Sequence, residues 1–381
     1  MLTMRRLLLF ISPALFLLMQ LPIFITCGCK EDLLVVKVPE DPQPPTQAKT
    51  WDFVGFAGGA NITSIMVIPD QPWVIYAGVR SNFSDGTVGS VMKSIDWGMT
   101  WKTVVDSISV SALVCDPGNH SIIYAGLNTN NGSIPGVIKS SDAGITWARS
   151  DSGLYFDQET WVDLITTDLL NGSIVYVGII GLFGGGLAKS TDAGRSWVYL
   201  PKRSPGSPRI LGTGVTAIAI DPKNTNEIYA GVAWTGGLYK SYDGGTTFGT
   251  LRDTGESIPV ALVVNPFRTN TVYLDYIGAN FHRSTDHGET WSGNPTHSIE
   301  ANRIIVYRDS TLYAAGYFGD GGGVYCSTDD GTSWKTISLV VDSLSVPIMA
   351  MEIDKKNGFI YVANGKYSSA GIYRYKISGS F

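Results

Sequence analysis

Ser140-Ser-Asp142-Ala-Gly144-Ile-Thr146-Trp147 is the stretch on which the reading of this chain turns. Serine and aspartate at its first and third positions close a turn by taking backbone amides of that turn. The glycine at its fifth position is expected to supply a positive φ. The tryptophan at its eighth is expected to pack in the seam toward the next repeat, burying about 150–250 Å². The same spacing recurs as Ser94-Ile-Asp96-Trp-Gly98-Met-Thr100-Trp101, Ser190-Thr-Asp192-Ala-Gly194-Arg-Ser196-Trp197 and Ser241-Tyr-Asp243-Gly-Gly245-Thr-Thr247-Phe248. It recurs again as Ser284-Thr-Asp286-His-Gly288-Glu-Thr290-Trp291 and Ser327-Thr-Asp329-Asp-Gly331-Thr-Ser333-Trp334. The Asp-to-Asp intervals are 46, 50, 51, 43 and 43 residues, the period of a propeller blade.

Working outward from each copy, three further strand signals appear. An apolar run ends in a turn, as in Ile65-Met-Val-Ile-Pro-Asp70 and Ala217-Ile-Ala-Ile-Asp-Pro222. Runs this apolar suit an inner strand buried on both faces. A tyrosine-bearing strand follows, as in Ile122-Ile-Tyr-Ala-Gly126, and then a strand that runs into the motif, as in Gly136-Val-Ile-Lys-Ser140. The motif tryptophan opens a fourth strand, and four strands make one blade. A seventh copy supplies Ile348–Ile353, Phe359–Ala363 and Gly371–Tyr375 but no motif. Its missing strand is legible at the other end, where Thr50-Trp51-Asp-Phe-Val54 copies the close of a motif. The expectation is an all-β, single seven-bladed β-propeller of four-stranded blades, with residues 51–56 completing the last blade and hiding two open edges.

Forty-four glycines and eighteen prolines in 381 residues, with only 16% charged, fit a turn-dense all-β chain. The net charge is −5, and no basic stripe lies beyond the N-terminus, so nucleic acid is not expected as a partner. Four cysteines at 27, 29, 115 and 326 show no zinc spacing. Cys115 and Cys326 read as buried thiols, with a disulfide between them as the alternative. No metal and no cofactor are expected.

The first fifty residues read as an address. Arg5 and Arg6 precede a largely apolar stretch from Leu7 to Ile25, then Thr26-Cys27-Gly28-Cys29. This describes a secretion signal, with an uncleaved span as the alternative. Cysteine after glycine resembles a lipobox, although Thr26 and Cys27 depart from its usual residues, and the resemblance implies lipidation of Cys29. Lys30-Glu31-Asp32 resembles an export tag of surface lipoproteins. Pro39, Pro42, Pro44 and Pro45 make the next stretch a stiff tether. The expected organisation is therefore a signal peptide over 1–28, a tether over 29–50 and the propeller over 51–381. The expected address is a bacterial envelope, as an outer-membrane lipoprotein, periplasmic or surface-exposed, held by an N-terminal lipid anchor. A monomer is expected.

Over residues 51–381 the chain resembles the BNR/Asp-box superfamily of sialidases, xyloglucan-acting glycoside hydrolases, sortilin-type receptor domains and photosystem II assembly/stability factors. It looks most similar to the last group and its bacterial lipoprotein relatives. The six motif aspartates, Asp96, Asp142, Asp192, Asp243, Asp286 and Asp329, read as structural, because one carboxylate per turn is too few ligands for calcium.

A site is expected on the opposite face, on the loops joining second to third strands and on the blade connections. Aromatics among polar tips there suit sugar or peptide recognition. The candidates are Trp234, Tyr317, Phe318, Tyr155, Phe156, Arg80, Arg209 and Tyr367. Two functions compete. The first is a non-catalytic scaffold on the envelope that recognises a protein or glycan. The second is a glycoside hydrolase working through paired carboxylates, with Asp157, Glu159, Asp320 and Asp85 as candidates. Sialidases carry a Phe/Tyr-Arg-Ile-Pro motif. Its nearest counterparts here, Arg209-Ile-Leu211 and Arg303-Ile-Ile305, lack the proline. No nucleophile motif accompanies His120, His282, His287 or His297.

Overall fold

The computed structural model describes residues 41–45, 50–55, 61–82, 86–129, 134–157, 159–181, 185–200, 214–233, 237–252, 257–277, 281–293, 301–316, 323–337, 340–341, 344–345, 347–364 and 371–377. Seven four-stranded antiparallel sheets follow one another along the chain. Their innermost strands are Asn61–Val67, Val110–Cys115, Thr160–Thr167, Val215–Ile220, Pro259–Val264, Ala301–Arg308 and Ile348–Asp354, which define blades 1 to 7. Each of these strands touches the innermost strand of both neighbouring blades, and that of blade 7 touches that of blade 1. The ring is therefore closed, as a seven-bladed β-propeller.

Closure is made by the strand Asp52–Gly55, which pairs antiparallel with Gly371–Lys376 in the register Asp52↔Arg374 and Phe53↔Tyr373. The chain ends thus share one blade, and Gly371–Lys376 is paired on both of its edges.

The core lies in the seams. Seven apolar clusters are each built from two adjacent blades, such as Met66, Val74 and Val91 of blade 1 with Val110, Leu113 and Ile123 of blade 2. The recurring Tyr-x-Gly explains how closely the blades approach. A β-carbon on Gly78 would stand 2.6 Å from Val110 Cγ1, and one on Gly126 would stand 2.6 Å from Val162 Cγ1. Only glycine lets the next innermost strand come so near.

Each innermost strand also carries a β-bulge at one register position, occupied by Thr63, Ser111, Asp163, Thr216, Val260, Asn302 and Met349. Four of these side chains donate to a carbonyl of the following blade: Thr63 to Val110, Ser111 to Val162, Thr216 to Pro259 and Asn302 to Ile348. A bulge re-aims the residues beside it, and this matters at the axis. Cys115 and Cys326 are free thiols, not a disulfide.

Candidate functional site

The two ends of the barrel differ in what their turns do. In each of the six Ser-x-Asp turns the serine hydroxyl donates to the aspartate and accepts the glycine N–H, as Ser140 does with Asp142 and Gly144. The aspartate then accepts from the backbone and the hydroxyl at the seventh position, Thr146 in that copy. The same pattern holds at Asp96, Asp192, Asp243, Asp286 and Asp329. These bonds, the one from the Thr146 hydroxyl first, hold the Asp142 carboxyl at about 2. Both oxygens of each carboxylate are engaged inside their own turn.

Positive φ falls on the glycine, and also on the residue between aspartate and glycine: Trp97, Ala143, Ala193, Gly244, His287 and Asp330. That second left-handed residue is the joint of the whole assembly. Its N–H donates to the turn between the first two strands of its own blade, as from Ala143 to Ser121. Its carbonyl accepts from the preceding blade: Ala143 O takes Tyr76 Oη at 2.7 Å and Lys93 Nζ at 2.8 Å. Ala193, Gly244, His287 and Asp330 receive Lys139, Lys189, Lys240 and Arg283 in the same way. The motif aromatics also look backward. Trp197 of blade 3 donates to Ser150 O of blade 2, and Trp101 donates to Val54 O of blade 7. The expectation of a seam with the next repeat is corrected here, because the turn lies on the side of its blade that faces the preceding one.

Trp234, Tyr317, Phe318, Arg209, Tyr367, Asp320, Asp85 and Cys29 lie outside the described residues. Tyr155 is exposed, whereas Phe156 packs into the seam of blades 2 and 3. Asp157 accepts the Glu159 N–H at 2.9 Å, so these two carboxylates belong to one turn of the connection between blades 2 and 3.

Arg80 is the sequence candidate that the structure brings into company. Charged groups from four blades act on one another in a chain: Arg80 of blade 1 with Asp163 of blade 3, Asp163 with Arg303 of blade 6, and Arg303 with Glu352 of blade 7. Arg303 is hemmed in by protein on every side yet open to solvent, as befits a side chain projecting into a central channel. Burial pulls the Arg303 and Arg80 guanidinium pKa values down, partly offset by Asp163 in both cases. Burial pushes the Asp163 carboxyl up, against the pull of Arg80, a bond from Trp161 and the charge of Arg303. It also pushes Glu352 up, against a bond from the Ile353 N–H and the charges of Lys355 and Arg303.

None of the ion pairs among the described residues joins two of these four groups. The polar atoms Arg80 Nε, Asn61 Oδ1 and Asn302 Oδ1 are buried there without a hydrogen-bond partner among the described residues. Such groups are costly to hold and attract a ligand's polar atoms. Register shows how unusual the charges are. Arg303 occupies the position of Ser64, Ala112, Leu164, Ala217, Ala261 and Ala350 in the other blades. Glu352 occupies that of Met66, Val114, Thr166, Ala219, Val263 and Ile305. Sequence reasoning missed Asp163, Arg303 and Glu352 as site residues. The available signal was a charge at an innermost-strand position that is uncharged in the sister repeats.

Asp221, Glu227 and His287 bring ligand atoms within 4.8 Å of one another, a spacing that fits a metal. The Lys240 ammonium, 2.8 Å from Glu227 Oε1, already supplies the positive charge there.

No family model matches the chain. It is 28% identical over 188 residues to a xyloglucanase of Hypocrea jecorina (strain QM6a), a match covering 46% of this chain and 20% of that protein. It is 27% identical over 211 residues to xyloglucanase Xgh74A of Acetivibrio thermocellus, covering 46% of this chain and 24% of that protein. The chain thus matches about a quarter or less of the length of these curated relatives. Among solved structures, YCF48 bound to D1 peptide superposes with a TM-score of 0.61 at 14% identity, covering 88% of this chain and 99% of that one. YCF48 from Cyanidioschyzon merolae gives 0.62 at 13% identity, covering 86% and 99%. At these identities the likeness is one of fold.

Proposed function

We propose that this protein is a non-catalytic, envelope-anchored binding scaffold that takes a protein segment or a glycan on the face opposite the Ser-x-Asp turns, with the channel charges as its polar anchor. One observation carries the reading. Arg80, Asp163, Arg303 and Glu352 come from four blades and act on one another in the chain Arg80–Asp163–Arg303–Glu352 without pairing directly, and the innermost-strand positions of the last three are uncharged in the sister repeats. Stability does not call for such an arrangement, and recognition of a polar ligand does. The solved propeller with a bound D1 peptide supports a peptide as one ligand class. The test is capture of partners from envelope extract by the full chain and by Arg303→Ala. Loss of a specific partner with the variant is the expected result. Equal capture by both proteins sinks the reading.

A second reading, glycoside hydrolysis, is favoured by the xyloglucanase relatives and by two raised carboxyls, Asp163 and Glu352, open to a channel. Turnover of xyloglucan oligosaccharides that falls by about 100-fold or more in Asp163→Asn or Glu352→Gln would establish it in place of the scaffold.

A further inference from the structure

The face bearing the Ser-x-Asp turns carries a set of apolar side chains that the fold leaves uncovered. Ile145 is 78% exposed and Leu170 67%, and Met99, Leu169, Tyr242 and Phe267 are also exposed. Met99, Ile145 and Tyr242 sit in the Ser-x-Asp turns of blades 1, 2 and 4. Leu169, Leu170 and Phe267 sit in the turns between first and second strands of blades 3 and 5. The two kinds of turn occupy one end of the barrel, because six backbone bonds clip them together, among them Ala193 N to Ser173 O and His287 N to Asn270 O. Five consecutive blades therefore present apolar tips in one direction. Scattered singly such residues are ordinary, but gathered at one end of a domain they supply the apolar tips that a shallow surface contact needs.

Where the chain enters the propeller points to the occupant. The closing strand begins at Asp52, opposite Arg374, and Lys376 pairs with Phe359 at the turn between the first two strands of blade 7. Thr50 and Trp51 therefore stand at the turn-bearing end, and the N-terminal segment with its apolar stretch Leu7–Ile25 joins the propeller on this same face. We infer that this face docks on the lipid surface itself, Met99, Ile145, Leu169, Leu170, Tyr242 and Phe267 dipping into the headgroup boundary while the channel mouth faces away. The inference rests on the proposed envelope anchor. A tether of this length holds the face at an effective concentration on the order of millimolar, so a shallow apolar set suffices where it would fail in free solution.

Charge adds little to the attraction. The face carries six turn carboxylates, all held below their ordinary value, together with Asp70 and Asp309, against cations such as Arg195, Lys223, Arg268, Lys355 and Lys356. Contact therefore depends on apolar insertion and not on anionic lipid.

The experiment uses the full chain with p-benzoylphenylalanine placed at Ile145, at Leu170 or, on the opposite face, at Ile134. Each protein is incorporated into phosphatidylcholine vesicles, recovered by flotation and irradiated. Lipid adducts from Ile145 and Leu170 should exceed those from Ile134 by about tenfold or more, since strands of about 17–20 Å separate the two faces. Phosphatidylglycerol vesicles should give a ratio no larger than this, since the face carries more carboxylates than cations. Flotation with equal or no adduct at the three positions overturns the docking and leaves the anchor standing. Failure to float overturns the anchor, and the docking with it. An adduct of twice the chain mass from Ile145 would identify a second copy as the occupant and overturn the lipid proposal.

Discussion

Ser140 has almost no exposed surface, and its hydroxyl serves Asp142 and the Gly144 N–H together. Ser140→Ala leaves that N–H buried without its acceptor and should cost about 1–3 kcal/mol in urea unfolding, with an unchanged m value. A loss under a few tenths would show that the turn is held elsewhere. Acid should expose the carboxylates in two opposite ways. Hydrogen bonds hold Asp142, Asp192 and Asp286 at about 2, below their ordinary value of 3.8. Their contribution is present above the ordinary value and is lost as pH falls through the folded one. Asp163 and Glu352 are raised, so the folded state takes up their protons first, and stability grows as pH falls from neutral toward the ordinary carboxyl range. Melting temperature should therefore pass through a maximum at mildly acidic pH and drop between about pH 4 and 2. Asp163→Asn should flatten the rise on the acidic side of neutrality, and a rise of unchanged size in that variant would refute the assignment.

At the scale of elements, one pair repeats around the ring. A fully buried tyrosine on the second strand faces a lysine on the third, in the registers Tyr76↔Lys93, Tyr124↔Lys139, Tyr176↔Lys189 and Tyr229↔Lys240. Each lysine lies over its tyrosine ring and reaches the left-handed carbonyl of the next blade. Arg283 replaces lysine in blade 5, and Arg374 in blade 7 reaches Trp97 O of blade 1 at 3.0 Å, carrying the contact across the closure. Blade 6 has Cys326 at this position, opposite Tyr313. The reason is topological. The third and fourth strands of blade 7 come from opposite ends of the chain, so blade 7 has no Ser-x-Asp turn to receive a cation. Arg374→Ala should cost about 1.5–3 kcal/mol, as expected for a bond from a buried charge. Cys326→Lys should destabilise, because it would bury an ammonium without a carbonyl to meet it. Chemical unfolding of both variants checks the pair, and stabilisation by Cys326→Lys would contradict the account.

For the molecule as a whole, the closure of Asp52–Gly55 onto Gly371–Lys376 makes stability a property of the ring. Removing residues 1–55 should lower the melting temperature and unseal the seam of blades 7 and 1, where Val54, Trp97 and Phe359 share a cluster. Calorimetry reads this directly, and an unchanged transition would mean that the ring closes without its fourth strand. The same closure brings the charges of Asp163, Arg303 and Glu352 into reach of one another, so Arg303→Ala should abolish specific ligand capture while the chain still unfolds cooperatively, with some stability lost at neutral pH because Asp163 and Glu352 lose a compensating charge.

The period of the Ser-x-Asp turns, the Tyr-x-Gly strands and the split last blade were legible in the sequence, because repeated local chemistry prints the same residues at the same offsets. Blade number, strand count and closing segment follow from that alone. The channel charges were not legible in the same way. Asp163 reads as one polar residue in a strand, and the residue facing the axis depends on where a bulge interrupts the alternation. Asp163 and Arg303 stand far apart along the chain and feel each other's charge only when the blades have closed into a ring. Local pattern therefore determined the fold, and ring closure decided which residues became neighbours, because a contact across a propeller's axis leaves no trace in local spacing.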